Sequence, residues 1–455
     1  MDEVRQLPDA RIGVDIEALR HRFRKGDARI GVIGLGYVGL PLATAAAGSG
    51  FTVTGFDIDR KKVDLLNQAR SYIRHISSSA IAELTARKRF RAVTDFAEIS
   101  TVDAVLICVP TPLTAHRDPD LSYVVGTGEA ILPHLRRGQL VILESTTYPG
   151  TSRDVLRPIL ERRGLRSGID FFLAYSPERE DPGNSEYPTA RIPKVVGGDG
   201  DDALSLAQAL YERFIAGTVP VTSLEAAEAV KLTENIFRAV NIALVNELKV
   251  IYDAMGIDIW QVIDAARTKP FGYMPFFPGP GLGGHCIPID PFYLAWKARA
   301  FGITTRFIEL AGEINSRMPM RVVARLSQAL NDRHAKSLKG AEILLLGVAY
   351  KRNVDDTRES PSFKIMEILE ARGARVAFHD PYVPSLSTTR EYPQFAGRRS
   401  VPLDRQSLAA FDAAVICADH DEVDYRLVAE HCPLVVDTRN VCEREGVDLA
   451  HVIKA

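Results

Sequence analysis

The sequence predicts an α/β protein in which two Rossmann-like, doubly wound domains are joined by a central helical region with one long helix. Three observations carry that prediction. Near the N-terminus a buried strand runs into a glycine-rich turn, Ala28-Arg-Ile-Gly-Val-Ile-Gly34-Leu-Gly36-Tyr37-Val38-Gly39, and a helix follows. From residue 222 to 256 apolar residues recur at helical spacing without a break. Beyond residue 340 short apolar strands again alternate with helical stretches, as in a second α/β domain.

Composition bounds the rest. The chain has 455 residues, of which 46% are hydrophobic and 25% charged, so a large core can be buried. A net charge of −2 removes the electrostatic case for nucleic acid as the main partner. Five cysteines (Cys108, Cys286, Cys417, Cys432 and Cys442) show no paired metal spacing, and no metal is expected. An odd cysteine count suits a reducing compartment. No apolar run is long enough to span a membrane, and the first residues are too charged for a secretory signal, which points to a soluble cytoplasmic protein.

Residues 1–28 are polar and basic and read as an N-terminal extension, with room for a short helix lying on the first domain. The first strand and its turn then open the fingerprint of a dinucleotide site. Gly34 makes the tight turn, Gly36 admits a pyrophosphate, and Gly39 lets helix and strand pack closely; Tyr37 and Val38 lie between as further cofactor contacts. Phe51-Thr-Val-Thr-Gly-Phe-Asp57 is a second strand that ends on an acid about 20 residues past the first glycine, the spacing for a ribose contact. That acid favours NAD over NADP, because a 2′-phosphate would face like charge, although Arg60, Lys61 and Lys62 soften the preference.

Later strands end in polar residues: Thr111 after Val102–Val109, Thr146 after Leu140–Glu144, and Glu178 after Phe171–Ser176. Carboxyl ends of strands line the ligand crevice of a doubly wound sheet, so these three belong where nicotinamide and substrate meet. A lone threonine at such a place is more often a cap or turn residue. Cys108 reads as a small core residue inside its strand.

The long helix, residues 222–256, starts with Thr222 and Glu225 in capping-box spacing and stops at Gly256. At 1.5 Å rise it is a rod of about 50 Å, able to bridge domains and to offer a face to a second subunit. Lys231 and Asn235 share one face of it; such a pair suits an oxyanion, or equally a solvated surface. Asp290–Met320 also reads as helical, interrupted near Gly302. Between the two lies Phe277-Pro-Gly-Pro-Gly-Leu-Gly-Gly-His-Cys286-Ile-Pro-Ile-Asp290. A thiol in so glycine-rich a loop, near an acid, has the look of a covalent nucleophile. The second α/β domain lacks GxGxxG and instead carries Lys351-Arg-Asn-Val-Asp-Asp-Thr-Arg358, a phosphate-binding turn rather than a second NAD site. Cys417, Cys432 and Cys442 read as structural.

Across nearly the whole chain these motifs resemble the UDP-sugar 6-dehydrogenases of the UDP-glucose/GDP-mannose dehydrogenase family. The carriers are GLGYVGLPLA at 34–43, VPTP at 109–112, EST at 144–146, SPE at 176–178, KLTEN at 231–235, GGHC at 283–286 and LGVAYKRNVDDTRES at 346–360. The resemblance implies an NAD-binding Rossmann domain at 29–215, a central helical dimerisation region with the cysteine loop at 216–320, and a UDP-sugar-binding Rossmann-like domain at 321–455. It implies a homodimer or higher homo-oligomer. It also implies roles: Cys286 as the thiol that forms a thiohemiacetal and then a thioester, Lys231 and Asn235 as oxyanion stabilisers, and Asp290 as the acid that takes the hydroxyl proton with Lys231 and a water. Thr146 and Glu178 would order the hydrolytic water. Lys351 and Gly283, with Glu178, Lys231 and Asn235, would contact substrate, and Arg358, with Thr111 and Thr146, the cofactor. Enzymes of the UDP-glucose branch carry Ser before the cysteine and Lys before the aspartate; here His285 and Ile289 stand there. The sequence is closer to the N-acetylhexosamine branch, above all to enzymes acting on UDP-N-acetylglucosamine in surface-polysaccharide pathways. Two other readings use fewer of these residues: a two-electron hydroxyacid dehydrogenase needs neither Cys286 nor the last domain, and a non-catalytic NAD sensor needs none of Lys231, Asn235, Cys286 and Asp290.

Overall fold

A computed structural model of the chain describes residues 14–73, 76–114, 116, 118–179, 191–284, 287–389, 391–447 and 450–455. The chain divides into two compact units, one ending at Thr233 and one beginning at Glu234. Among the described residues no helix is long and apolar enough to cross a membrane.

The first unit is built on eight strands: β1 (Arg29–Ile33), β2 (Thr52–Phe56), β3 (Phe90–Val93), β4 (Ala104–Ile107), β5 (Leu140–Leu143), β6 (Phe172–Tyr175), β7 (Lys194–Gly198) and β8 (Thr218–Val221). Their order is β3-β2-β1-β4-β5-β6-β7-β8. The first six reproduce the dinucleotide-binding order, with the reversal between β1 and β4. Every pair is parallel except β6 with β7, which run antiparallel. β4, β5 and β6 are buried along their whole length, as helices on both faces require. Cys108 lies one residue past β4 and is only half-buried, not inside the strand as its apolar neighbours suggested; its N–H donates to Ile33 O at 2.8 Å.

Helix α1 (Ile16–Lys25) does form in the N-terminal extension, capped by the Asp15 carboxylate on Ala18 N, and it packs on α3 (Asp201–Tyr211) after α2 (Gly39–Gly48). The long helix, α4 (Leu224–Met255), begins two residues later than the sequence suggested. Its cap is not Thr222: the Ser223 hydroxyl accepts from Ala226 N at 3.1 Å. The hydroxyl three residues before a free N–H has the right reach, and Thr222 is one residue too early.

In the second unit α5 (Asp290–Arg299) and α6 (Arg306–His334) replace the single interrupted helix expected over 290–320, and α6 runs on through Pro319. Five strands follow, β9 (Glu342–Leu346), β10 (Arg375–His379), β11 (Ala413–Ile416), β12 (Val435–Asp437) and β13 (Val452–Lys454), with α7 (Pro361–Ala371) crossing from β9 to β10. All pairs are parallel, in the order β10-β9-β11-β12-β13. That is the shorter doubly wound order, and its reversal lies between β9 and β11. Cys417, Cys432 and Cys442 are buried free thiols in its core.

One buried carboxylate fixes where α4 lies in the first unit. Glu228 is fully buried and accepts from the N–H groups of Gly150, at 2.5 Å, and Ser152, at 2.8 Å. Gly150 ends the loop after β5 and Ser152 opens the helical segment that follows, so the helix is tied to the strand end that carries Thr146. Burial pushes the carboxyl up to about 7, against the pull of the two amide bonds. Removing the carboxylate with Glu228→Ala strands two buried donors, an expected loss of roughly 2–4 kcal/mol. Because the folded chain holds the Glu228 proton more tightly than the unfolded one, this group's contribution to stability falls as pH rises from the ordinary carboxylate value to about 7. Glu228→Gln cannot ionise, so the difference in melting temperature between native and variant should change across that window; parallel curves would contradict the assignment.

Candidate active site

The glycine turn after β1 shows what each glycine is for. Gly34 has φ +89°, and a Cβ there would lie 2.5 Å from Cys108 O. At Gly39 a Cβ would lie 1.8 Å from Gly34 O, so no side chain fits. Around Gly36 a Cβ would meet nothing within 4 Å. The chain therefore demands two of the three glycines itself, and the third leaves open a cradle of the kind a pyrophosphate fills at a helix start. Tyr37 and Val38 are half-buried beside it. Asp57 is buried just past β2; its Oδ2 accepts from Leu35 N and its Oδ1 from Asp59 N, both at 2.9 Å, and Lys62 Nζ is 3.6 Å away.

The strand ends on the far side of the crevice are tied to one another. Ser145 Oγ donates to Val109 O at 2.7 Å, linking the β5 and β4 loops that carry Thr146 and Thr111. Thr111 is buried and Thr146 half-buried. Below the β6 end lies a buried ionic cluster that sequence reasoning missed. Lys194 Nζ donates to Glu144 Oε2 at 2.6 Å and to Pro177 O at 3.1 Å, and stands 3.8 Å from Glu178 Oε2. Tyr211 donates its hydroxyl to the other Glu144 oxygen. Burial presses the Lys194 ammonium down, but the Glu144 and Glu178 carboxylates outweigh it and hold the pKa above its ordinary value. Glu178 is thus seated on a fixed positive charge. From α4, Lys231 donates to the Glu178 carbonyl oxygen at 2.5 Å and is itself buried. A lysine opening an otherwise apolar strand, Lys194-Val-Val-Gly-Gly, was the available signal for the cluster.

In the second unit, Asn235 and Asp290 meet. Asn235 Nδ2 donates to Asp290 Oδ2 at 2.5 Å, and both side chains are buried. Arg238 donates to Asn235 Oδ1. Asp290 opens α5, with Pro291 next to it in the first turn, where a missing N–H costs nothing. His285 and Cys286 lie outside the described residues. The glycines leading to them serve close packing as well as any ligand: a Cβ on Gly283 would come within 2.7 Å of Tyr350 Cβ, and Gly284, at φ +81°, donates to Arg358 O at 3.0 Å. The cysteine loop is therefore seated against the turn that follows β9. Its start is held by an amide relay that the sequence did not suggest: Gly279 N donates to Asn246 Oδ1, Asn246 Nδ2 to Asn315 Oδ1, and Asn315 Nδ2 to Ala239 O.

Lys351 sits half-buried in the turn after β9. Arg358 forks onto Asp356 two residues earlier, with Nη2 2.6 Å from Oδ2. Among the described residues no cluster of His, Cys, Asp or Glu could hold a metal ion.

Comparison with known proteins covers almost the whole chain. Residues 28–215 match the NAD binding domain of the UDP-glucose/GDP-mannose dehydrogenase family, 225–317 its central domain, and 344–444 its UDP binding domain. The chain is 37% identical over 398 residues to a UDP-N-acetyl-D-glucosamine 6-dehydrogenase of Pseudomonas aeruginosa, covering 87% of this chain and 91% of that one. It is 35% identical over 434 residues to a UDP-N-acetyl-D-mannosamine dehydrogenase of Pyrococcus horikoshii, covering 92% and 97%. A solved structure of a UDP-D-ManNAc dehydrogenase from Pyrococcus horikoshii superposes with a TM-score of 0.83 at 33% identity, over 94% of this chain and 98% of that one.

The glycine turn yields a paired prediction. Gly36→Ala meets no atom of the chain, so it should fold like the native protein and lose NAD affinity at least tenfold. Gly39→Ala collides with Gly34 O and should lower the melting temperature. Equal NAD titration of Gly36→Ala and native protein, followed by fluorescence, would show that nothing binds in that cradle.

Proposed function

Because this chain belongs to the UDP-glucose/GDP-mannose dehydrogenase family and is an NAD-dependent oxidoreductase, we propose that it oxidises C6 of a UDP-N-acetylhexosamine to the carboxylate. The proposed substrate is UDP-N-acetylglucosamine, with synthesis of a surface polysaccharide as the setting. The observation that carries the reading is the seat of the cysteine loop. Gly283 and Gly284 press it onto Tyr350 and the Arg358 carbonyl, in the segment that matches the UDP binding domain and holds Lys351. Cys286, two residues further along the sequence, is the nucleophile in this reading. His285 and Ile289, and relatives named for N-acetylated sugars, favour that branch over UDP-glucose.

NAD supplies the hydride acceptor; the chain supplies everything else. Asp290, with Lys231 and a water, takes the C6 hydroxyl proton as the first hydride leaves, giving an aldehyde. The Cys286 thiol adds to it, forming a C–S bond, and Lys231 and Asn235 stabilise the oxygen that carries negative charge. Loss of the second hydride leaves a thioester. Water, ordered by Thr146 and Glu178, attacks it, and the C–S bond breaks to return the thiol and release the acid. Glu178 is suited to this by its seat on Lys194. Asp57 would take the adenosine ribose, and Gly34, Gly36, Tyr37, Val38, Gly39, Thr111 and Arg358 the rest of NAD.

The reading requires two NADH per sugar, and a panel of UDP-sugars distinguishes glucosamine from mannosamine, galactosamine and glucose. Cys286→Ala should keep NAD and sugar binding and release at most one NADH with aldehyde. Acid formed by that variant at near-native rate would sink the covalent route.

A dimer is part of the proposal. Phe237, Leu244 and Ile251 recur every seven residues on α4, each 45–49% exposed, and Met255 continues the stripe. Heptad spacing of exposed apolar residues suits burial against a second copy of the helix. Leu244→Asp should turn a dimer into monomer in sedimentation at micromolar concentration; a native protein that is already monomeric refutes the assignment.

A further inference from the structure

The second sheet reverses direction between β9 and β11, and a ligand of such a sheet sits outside the strand ends at that point. Two loops flank it, 347–353 after β9 and 417–421 after β11. His420 lies in the second loop, fully buried, and the chemistry above makes no use of it.

Both its ring nitrogens are committed. Nε2 is 3.1 Å from Asp380 Oδ2, and Nδ1 faces the backbone N–H of Asn353 at 2.9 Å. The backbone N–H can only donate, so Nδ1 carries no proton. Asp380 Oδ2 also accepts from Val348 N and Ala349 N, and Oδ1 accepts from Tyr382 N and Val383 N. Burial would raise that carboxyl, but the His420 bond and the amides together hold it below its ordinary value, so it is an anion that needs the Nε2–H. One neutral tautomer fits.

The bond to Asn353 closes a latch across the crevice. Asn353 stands at φ +60°; its Nδ2 donates to Asp421 Oδ2 at 2.6 Å, and its Oδ1 accepts from Asp421 N at 3.0 Å. Arg352 pairs with Asp421. The turn that carries Lys351 is thus pinned to residues 420–421. The groups facing the imidazole are Asp380, the edge-on Tyr382 ring with its centroid at 5.0 Å, and Tyr425, whose hydroxyl donates to His420 O; Asp421 and Asp419 flank it, paired with Arg352 and Arg444.

We propose that His420 is a positioning residue: by accepting the Asn353 N–H at Nδ1 while donating from Nε2 to Asp380, it holds the Lys351 turn and sets affinity for the nucleotide diphosphate. The inference rests on the reading of this domain as the UDP site.

The test is calorimetric titration of UDP-N-acetylglucosamine and of UDP-glucose, without NAD, at pH 8, in the native protein and two variants. The KM for NAD should stay level in all three. His420→Asn keeps an acceptor for the Asn353 N–H, so it should bind at the native level. His420→Gln keeps the donor to Asp380 but loses the acceptor, and should bind about tenfold more weakly at pH 8. Equally weak binding by His420→Asn and His420→Gln, or native affinity in His420→Gln, overturns the latch. If neither nucleotide sugar binds while NAD does, the UDP-site reading itself fails.

Discussion

In the first unit, the order of the candidate site depends on a carboxylate that does no chemistry. Glu228 turns α4 toward the segment after β5 by accepting two of its amides, and only with the helix held there can Lys231, one turn on, reach the carbonyl of Glu178. Glu178 in turn rests on Lys194, and Lys194 on Glu144. Buried charges are expensive, and an apolar core would be at least as stable. What these charges provide is direction: each hydrogen bond fixes an angle that packed methyl groups would leave loose. The cluster therefore belongs with positioning rather than with stability.

This also explains which parts of the site were legible in the sequence. Gly34, Gly36, Gly39 and Asp57 announce themselves because each answers a local constraint of a strand–turn–helix unit, and the unit is contiguous in the chain. Thr111, Thr146 and Glu178 were legible one step further, since sheet topology alone sends strand ends to the crevice. Glu228 and Lys194 were not, because a charge on a helix or at the head of a strand reads as a solvated face. Their partners lie 76–78 and 50 residues away, a separation at which spacing carries no information. The cap of α4 failed for a smaller reason: Thr222 and Ser223 are both cap residues, and a sequence offers no way to see which hydroxyl meets the free N–H.

The glycine-rich loop before Cys286 was legible in kind but only partly in cause. Its glycines were read as room for a ligand. Gly283 and Gly284 are instead pressed by Tyr350, so their first duty is to let the loop lie flat on the turn after β9. That duty helps the functional reading, because a loop seated so closely cannot drift from the turn that carries Lys351.

The two sheets, finally, place an aspartate at the same topological position and use it differently. Asp57 and Asp380 both end the strand next to the first one, and both cap the turn beside it through backbone amides. Asp57 caps two amides and has Lys62 nearby, which leaves lone pairs for hydroxyl donors. Asp380 receives four amides and His420, and nothing of it remains for a ligand. The same position is thus left open to a ligand hydroxyl in the first sheet, and is closed in the second by the bond that holds His420 between the loops after β9 and β11.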